Sequence, residues 1–565
     1  MKLSNNKKRK IGELLEQAKA AVAAGRIAAF DELCRRIEGV QQGNPDVANL
    51  RAIVRYKMGR PGEAEQLFTM AIQAMPTRHE FHQNLGALYL EQKRYAQAAD
   101  CYGRAIKLGN KALPVQLCYC KALVELGHYE QALPILNRLH KQHPRDVDVL
   151  MGLYMTSEPL NLIEEAEGYL QQILGIDPNH VEAHAKMSRL AVQKGRMDEA
   201  EAEARKALAI QPNNPGAYDI LTYAKKFRSA DDPDIAAMTN LYERSTPDSE
   251  DRQTICFALG KVLEQLKQYD RAFELFAEGN GIRHKKSRYE AGTELANMGR
   301  IMAAFIPESL SHTSSEDDPT TIFIVGMPRC GSTLVEQILA AHPDVESRGE
   351  CNFFASKALS SLHSDDNPLT PEQLAAFTPK TWDEVARNYL EHLKGNNSSA
   401  LRITDKTLTN FRHVGAIHCA LPMAKIVHVR RHPLDTCLSI FKHHLQGFMF
   451  DYGYDLSELG DYYSMYLKLM QHWRDVLPKG VMYELDYENL IADQEKETRK
   501  LLEYCGLSWD EACLQFNKTK NAVRTASMAQ VRRPIYADSQ AAWKRYKKQL
   551  KPLIRILGKG YPRIR

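Results

Sequence analysis

The feature that most constrains this chain is a spacing. Ala64, Ala98, Ala132, Ala166 and Ala200 recur at a fixed interval of 34 residues. Pro76, Pro144, Pro178 and Pro212 keep the same period twelve positions later, with Asn110 in the remaining slot. A period of this length, held over five units, requires a stack of like units that bury their apolar faces on one another. The residue types describe the unit. A small alanine lets two antiparallel helices cross closely, aromatics fill the space beside it, and proline stops the second helix.

Five such helix pairs span residues 45–214, and a further one recurs over 253–286, where Gly260, Ala272 and Phe276 fall on the same template. The stretch between them forms a modified unit. Residues 1–44 are expected to be a degenerate helical cap, and the helical domain as a whole to run over 45–290. Around Ala98 the pattern Leu85, Gly86, Tyr89, Tyr102 and Ala105 resembles the tetratricopeptide repeat (TPR). That implies an all-α solenoid whose concave groove takes a protein or peptide partner. A polar, proline-bounded stretch, PESLSHTSSEDDP, then places a linker over 291–319.

Composition removes several classes. At 565 residues the chain is too long for one core. Its apolar share of 44% is that of a folded globular protein. Residues 1–10 hold no apolar signal core, and no apolar run reaches the roughly 20 residues of a membrane span. The 11 cysteines lack paired metal-ligand spacing, so no metal is expected and the thiols read as reduced in a cytoplasm. Net charge is only +5, yet 14 Lys and Arg face a single acid, Asp538, between Lys518 and Arg565. Such a tail is either a solvated face or a grip for nucleic acid, membrane lipid or a polyanionic small molecule; with the motifs below taken into account, no nucleic-acid partner is expected.

The chemistry-bearing segment opens the last domain, residues 320–565. Thr321–Val325 reads as a buried strand, Gly326 to Gly331 as a tight turn, and Thr333–Ala341 as a helix with an apolar stripe. The turn amides and the helix dipole form an anion cradle over Pro328, Arg329, Cys330, Gly331, Ser332 and Thr333. Gly326-x4-Gly331 has the spacing of a nucleotide P-loop, but Ser332 stands where a triphosphate-binding loop carries lysine. The loop therefore suits a phosphate-like group of lower charge, with Arg329 as its cation. Further on, the apolar strand Ile426–Val429 delivers two arginines to a helix start, a placement suited to phosphate.

Pro328-Arg-Cys-Gly-Ser-Thr333 resembles the 5′-phosphosulfate loop of sulfotransferases, and Arg431-His-Pro-x-Asp435 running on to Ser439 is similar to their 3′-phosphate segment. The fuller resemblance is to bacterial TPR-containing sulfotransferases, whose catalytic part is similar to tyrosylprotein sulfotransferase. It implies an α/β P-loop-like domain with a central parallel sheet, and a donor, 3′-phosphoadenosine 5′-phosphosulfate (PAPS). Arg431 and Ser439 would hold the 3′-phosphate; His432 stands where aspartate is usual. Family offsets of 21 residues after Arg329 and 25 before Arg431 land on Glu350, the implied base, and Lys406, which contacts the transferring group. Arg329 joins these two in the implied catalytic set. Ser527 aligns with a serine in transition-state contact, and Arg533 lies in the late segment that covers the donor. The aromatic run Phe448–Tyr466 reads as core or helix packing, the commoner place for such a run, or as a wall of the acceptor pocket. Protein tyrosine, glycan, lipid and metabolite hydroxyls all fit as acceptors, recruited by or alongside the repeats. Two other readings stay open at this level. One is a P-loop small-molecule kinase, the other a repeat scaffold whose last domain binds nucleotide without catalysis.

Overall fold

The computed structural model describes residues 4–160, 162–287, 289–359, 368–395, 398, 400–444, 448–518 and 540–558. It divides into two compact units, residues 1–183 and 184–565. In the first unit the helix pairs are Pro45–Lys57 with Pro61–Ala74, His79–Glu91 with Tyr95–Lys107, Leu113–Glu125 with Tyr129–Gln142, and Val147–Ser157 with Ile163–Ile176. Ala64, Ala98, Ala132 and Ala166 are fully buried. At Gly86 an added Cβ would lie 3.2 Å from the Tyr102 ring, so the paired helices touch where one of them lacks a side chain. Met75, His143 and Asp177 each precede a proline and end their helices at φ −141, −132 and −129. The pyrrolidine ring excludes helical geometry at the residue before it. Ahead of these pairs, Asn5–Ala23 and Ile27–Glu38 bury Phe30, Cys34 and Ile37 against Val47, Leu50 and Val54.

The second unit begins in helix pairs and then changes architecture. Its α1 (Glu250–Gln265) and α2 (Tyr269–His284) form the last recurring pair. A third helix, α3 (Ala291–Ala304), occupies the first half of the stretch read as linker. Met298, Ile301 and Ala304 make an apolar stripe at three-residue spacing, and that stripe is buried. The Phe305 ring follows it and meets Trp473 edge-on, centroids 5.7 Å apart. Residues 305–308 and 312–320 carry neither helix nor strand, and Ser309–Ser311 of the polar run form a single 3-10 turn.

The sheet is built from β1 (Thr321–Val325), β2 (Val345–Ser347), β3 (Arg402–Asp405), β4 (Lys425–Arg430) and β5 (Met482–Asp486). All pairings are parallel, in the order β2-β3-β1-β4-β5. This is the central parallel sheet that the resemblance implies. Side chains alternate across it. Phe323 and Val325 enter a core shared with Phe257, Phe273 and Phe276 of α1 and α2, and with Trp382, Tyr389 and Trp473. Ile322 and Ile324 enter the opposite core with Val335, Ile338, Val427 and Leu485. Burial on both faces explains why β1 is apolar throughout. Three more helices matter below: α4 (Ser332–Ala340) after β1, α5 (Pro433–Phe441) after β4, and α6 (Leu456–Val476) before β5. From β1 the chain turns toward β2, and from β4 toward β5. The adjacent carboxyl ends of β1 and β4 are therefore a topological switch point, where open α/β sheets bind ligands.

Candidate active site

Each predicted cluster follows the end of a strand. Pro328 to Thr333 follow β1, Glu350 comes three residues after β2, and Lys406 and Arg431 directly succeed β3 and β4. Parallel pairing puts all four at one edge of the sheet.

The turn after β1 has left-handed backbone at Gly326, Arg329 and Gly331, with φ of 152, 68 and 103. Left-handed residues in such close succession curl the chain so that amides can converge on an anion, above the positive end of α4. Neither glycine tolerates a side chain. A Cβ would lie 2.7 Å from the Val429 carbonyl at Gly326 and 2.4 Å from the Tyr487 ring at Gly331. Burial pushes the Cys330 thiol up to about 11, so it adds no negative charge beneath the loop.

Arg329 ties this loop to α5. Its Nε donates to Ser439 Oγ at 3.0 Å, and its Nη2 lies 3.2 Å from His443 Nε2. Nδ1 of His443 sits 2.6 Å from the Ser439 carbonyl oxygen, which can only accept, so Nδ1 carries the proton. The neutral ring then presents Nε2 as the acceptor Arg329 needs. Burial, followed by the Arg329 charge, holds His443 well below the usual histidine range. Arg431 Nη1 donates to the Arg329 carbonyl at 3.1 Å, and its guanidinium lies over the Tyr487 ring at 4.9 Å. Arg329, Arg431 and Ser439 thus form one hydrogen-bonded group. His443 and Tyr487 complete it, and sequence reading missed both. Tyr487 covers the loop glycine on one side and the arginine on the other.

The second group lies toward β2 and β3. Lys406 Nζ donates to Glu350 Oε1 at 2.5 Å, and the Lys406 amide donates to the Gly349 carbonyl at 2.8 Å. The lysine side chain is 1% exposed whereas that of Glu350 is 51% exposed, so the carboxylate is the member open to an incoming molecule. A buried ammonium is tolerated only when paired. Burial opposes the charge on Lys406, and the carboxylates of Glu350 and Glu336 outweigh it, raising the lysine. Glu336, on α4, is a further residue that sequence reading did not single out. Arg329 turns its guanidinium to α5, so the expected catalytic trio divides into the pair Glu350–Lys406 and Arg329 on the other group.

Other expectations fare differently. Ser527 and Arg533 lie outside the described residues. Residues 541–543, farther along the chain, meet α5 and the residue before it. The Ala541 and Trp543 amides donate to the Asp435 carboxylate at 2.8 and 2.9 Å, and Trp543 stacks on His432, centroids 5.5 Å apart. Of the two readings of the aromatic run, core packing holds: Tyr452, Tyr462, Tyr463 and Tyr466 are buried in the core. Tyr462, Tyr463 and Tyr466 share the inward face of α6, and Tyr452 stacks on Tyr462 with centroids 3.6 Å apart. Among the described residues no group of three or more His, Cys, Asp or Glu is placed to hold a metal ion. No helix of the described residues is long and apolar enough to cross a membrane.

With this geometry in place, comparison with known proteins is decisive at the domain level. Residues 319–511 match the Sulfotransferase family, and residues 49–112, 90–153 and 162–222 match the tetratricopeptide repeat. The chain joins tetratricopeptide repeats to a sulfotransferase domain. The sulfotransferase match takes in all five strands, both hydrogen-bonded groups and Tyr487; Trp543 lies beyond it. An uncharacterized protein of Aquifex aeolicus is 32% identical over 414 residues, which are 71% of this chain and 53% of that protein. The protein-tyrosine sulfotransferase of Drosophila melanogaster is 24% identical over 279 residues, 45% of this chain and 53% of that one. The chain thus spans about half the length of these curated relatives. A solved tetratricopeptide repeat protein from Parabacteroides merdae is 19% identical, with a TM-score of 0.37, over 42% of this chain and 93% of that one.

Proposed function

We propose that residues 320–565 move a sulfuryl group from PAPS to an acceptor hydroxyl, with the repeats recruiting the acceptor. The observation that carries this reading is the 2.5 Å contact between a buried lysine and a half-exposed carboxylate beside an anion-binding loop. PAPS supplies an activated sulfuryl group on a phosphate leaving group. The amides of residues 329–333, which follow Pro328, hold the phosphosulfate, and Arg431 and Ser439 hold the 3′-phosphate. Glu350 accepts the acceptor's proton as the hydroxyl oxygen bonds to sulfur and the sulfur–oxygen bond to phosphate breaks. Lys406 bears on the transferring group, Arg329 on the departing phosphate, and 3′,5′-ADP leaves. Ser332 in the lysine position of a nucleotide loop favours this reading over triphosphate chemistry.

The test is transfer of labelled sulfate from PAPS into a cell lysate by the full-length protein. Label should appear in one or a few acceptors, which can then be identified. Absence of any labelled product over extended incubation contradicts the reading.

Recruitment has its own test. The sulfotransferase core includes α1 to α3, so a cut near residue 290 divides a core. Removing residues 1–180 instead keeps the helix Val181–Gln193 whole. With folding verified by circular dichroism, PAPS affinity should persist while kcat/KM for a macromolecular acceptor falls about tenfold or more. A tethering groove raises local acceptor concentration to roughly millimolar. An unchanged kcat/KM contradicts recruitment.

A further inference from the structure

One buried acid has no part in the chemistry above. Glu336 on α4 is 4% exposed, and its Oε2 lies 3.9 Å from Lys406 Nζ. Its other oxygen, Oε1, faces the Ser347 hydroxyl at 2.8 Å, the Gly349 amide at 3.1 Å and the Thr404 hydroxyl at 3.4 Å. Gly349 immediately precedes Glu350, and Thr404 lies two residues before Lys406. A single carboxylate therefore gathers the ends of β2 and β3 and faces the ammonium between them.

We infer that Glu336 is a positioning residue that supplies Lys406 with a permanent counter-charge while Glu350 is neutralised by the acceptor's proton. The inference rests on the sulfotransferase reading above. At rest, Lys406 lies between two carboxylates. Once Glu350 takes up the proton, it no longer balances the ammonium, at the moment when negative charge grows on the transferring and departing groups. An ammonium this deeply buried is costly when unpaired. Glu336 keeps it paired throughout, and its hydrogen bonds keep both reacting strand ends in register.

The surroundings fit a fixed charge. The loop after β1 contributes the neutral Cys330 thiol, β2 and its following turn contribute Ser347 and Glu350, and β3 contributes Thr404 and Lys406. Lys406 is the cation facing Glu336. Burial, joined by the Glu350 charge, raises the Glu336 carboxyl above its ordinary range, against the pull of Lys406, Ser347 and the Gly349 amide toward the charged form. Three donors converge on Oε1 and the ammonium faces Oε2, an arrangement that suits an ionised carboxylate.

Glu336→Gln separates charge from hydrogen bonding, because the carboxamide oxygen still accepts from Ser347, Gly349 and Thr404. Full-length protein is assayed for release of 3′,5′-ADP from PAPS, with the label-accepting lysate fraction as acceptor. Turnover should fall about tenfold or more while PAPS affinity stays within about threefold. The alkaline limb of the kcat profile should also move to lower pH. The sign follows from Lys406: burial favours its neutral form, and one of the two carboxylates opposing that would be gone. Glu336→Asp retains the charge and should keep the wild-type limb even with lower turnover. Wild-type turnover in Glu336→Gln, or reduced turnover with an unmoved limb, overturns the counter-charge role. If the wild-type protein itself releases no 3′,5′-ADP, the sulfotransferase reading fails and this inference with it.

Discussion

Glu350→Gln should leave PAPS affinity equal to wild type or slightly tighter and lower turnover by about a hundredfold or more. The substitution is nearly isosteric, and the carboxamide oxygen can still accept from Lys406 Nζ, so the 2.5 Å contact that organises the pair has a replacement. What disappears is the group able to take the acceptor's proton. Donor affinity should not suffer, because the carboxylate competes with the donor's own anionic groups for the lysine. A purely structural ion pair predicts the opposite pattern: reduced thermal stability, with binding and turnover falling together. Near-normal turnover would show that another residue receives the proton.

Arg431→Ala should weaken PAPS by roughly ten- to a hundredfold. Losing a charge-assisted phosphate contact costs about 1.5–3 kcal/mol, and each 1.4 kcal/mol is a factor of ten. Adenosine 5′-phosphosulfate lacks the 3′-phosphate and should bind variant and wild type within about threefold of each other. The comparison is needed because Arg431 also donates to the Arg329 carbonyl and lies over Tyr487. Removing it can loosen the loop as well as the phosphate site. Equal losses for both ligands would reassign Arg431 from 3′-phosphate binding to bracing the loop.

How much of this was legible in the sequence follows from the range of the interactions involved. The repeat period was readable because a small crossing residue and a stopping proline act within one unit, as buried Ala98 and the helix end before Pro144 illustrate. The loop after β1 was readable because its turn, strand and helix are contiguous. Contacts between distant segments were not. Arg329 meets His443 across 114 positions, and nothing local marks that histidine as an acceptor. Glu336 reads as an ordinary helix residue until Lys406 is placed against it. At α3 the polar run beside it obscured a short apolar stripe and the Phe305 that follows, whose ring partner, Trp473, lies far along the chain. The tyrosines of α6 show the converse. A dense aromatic run left core and pocket both open, and its spacing along one helix face put it in the core.

The central claim is that the carboxyl edge of this sheet is a site for PAPS and not for a nucleoside triphosphate. Isothermal titration calorimetry of the full-length protein tests it without knowledge of the acceptor. PAPS and its product 3′,5′-ADP should both bind at least about tenfold more tightly than ATP, with or without magnesium, because ATP lacks the 3′-phosphate that Arg431 and Ser439 are assigned to hold. Magnesium-dependent ATP binding that equals or exceeds that of PAPS would contradict the account.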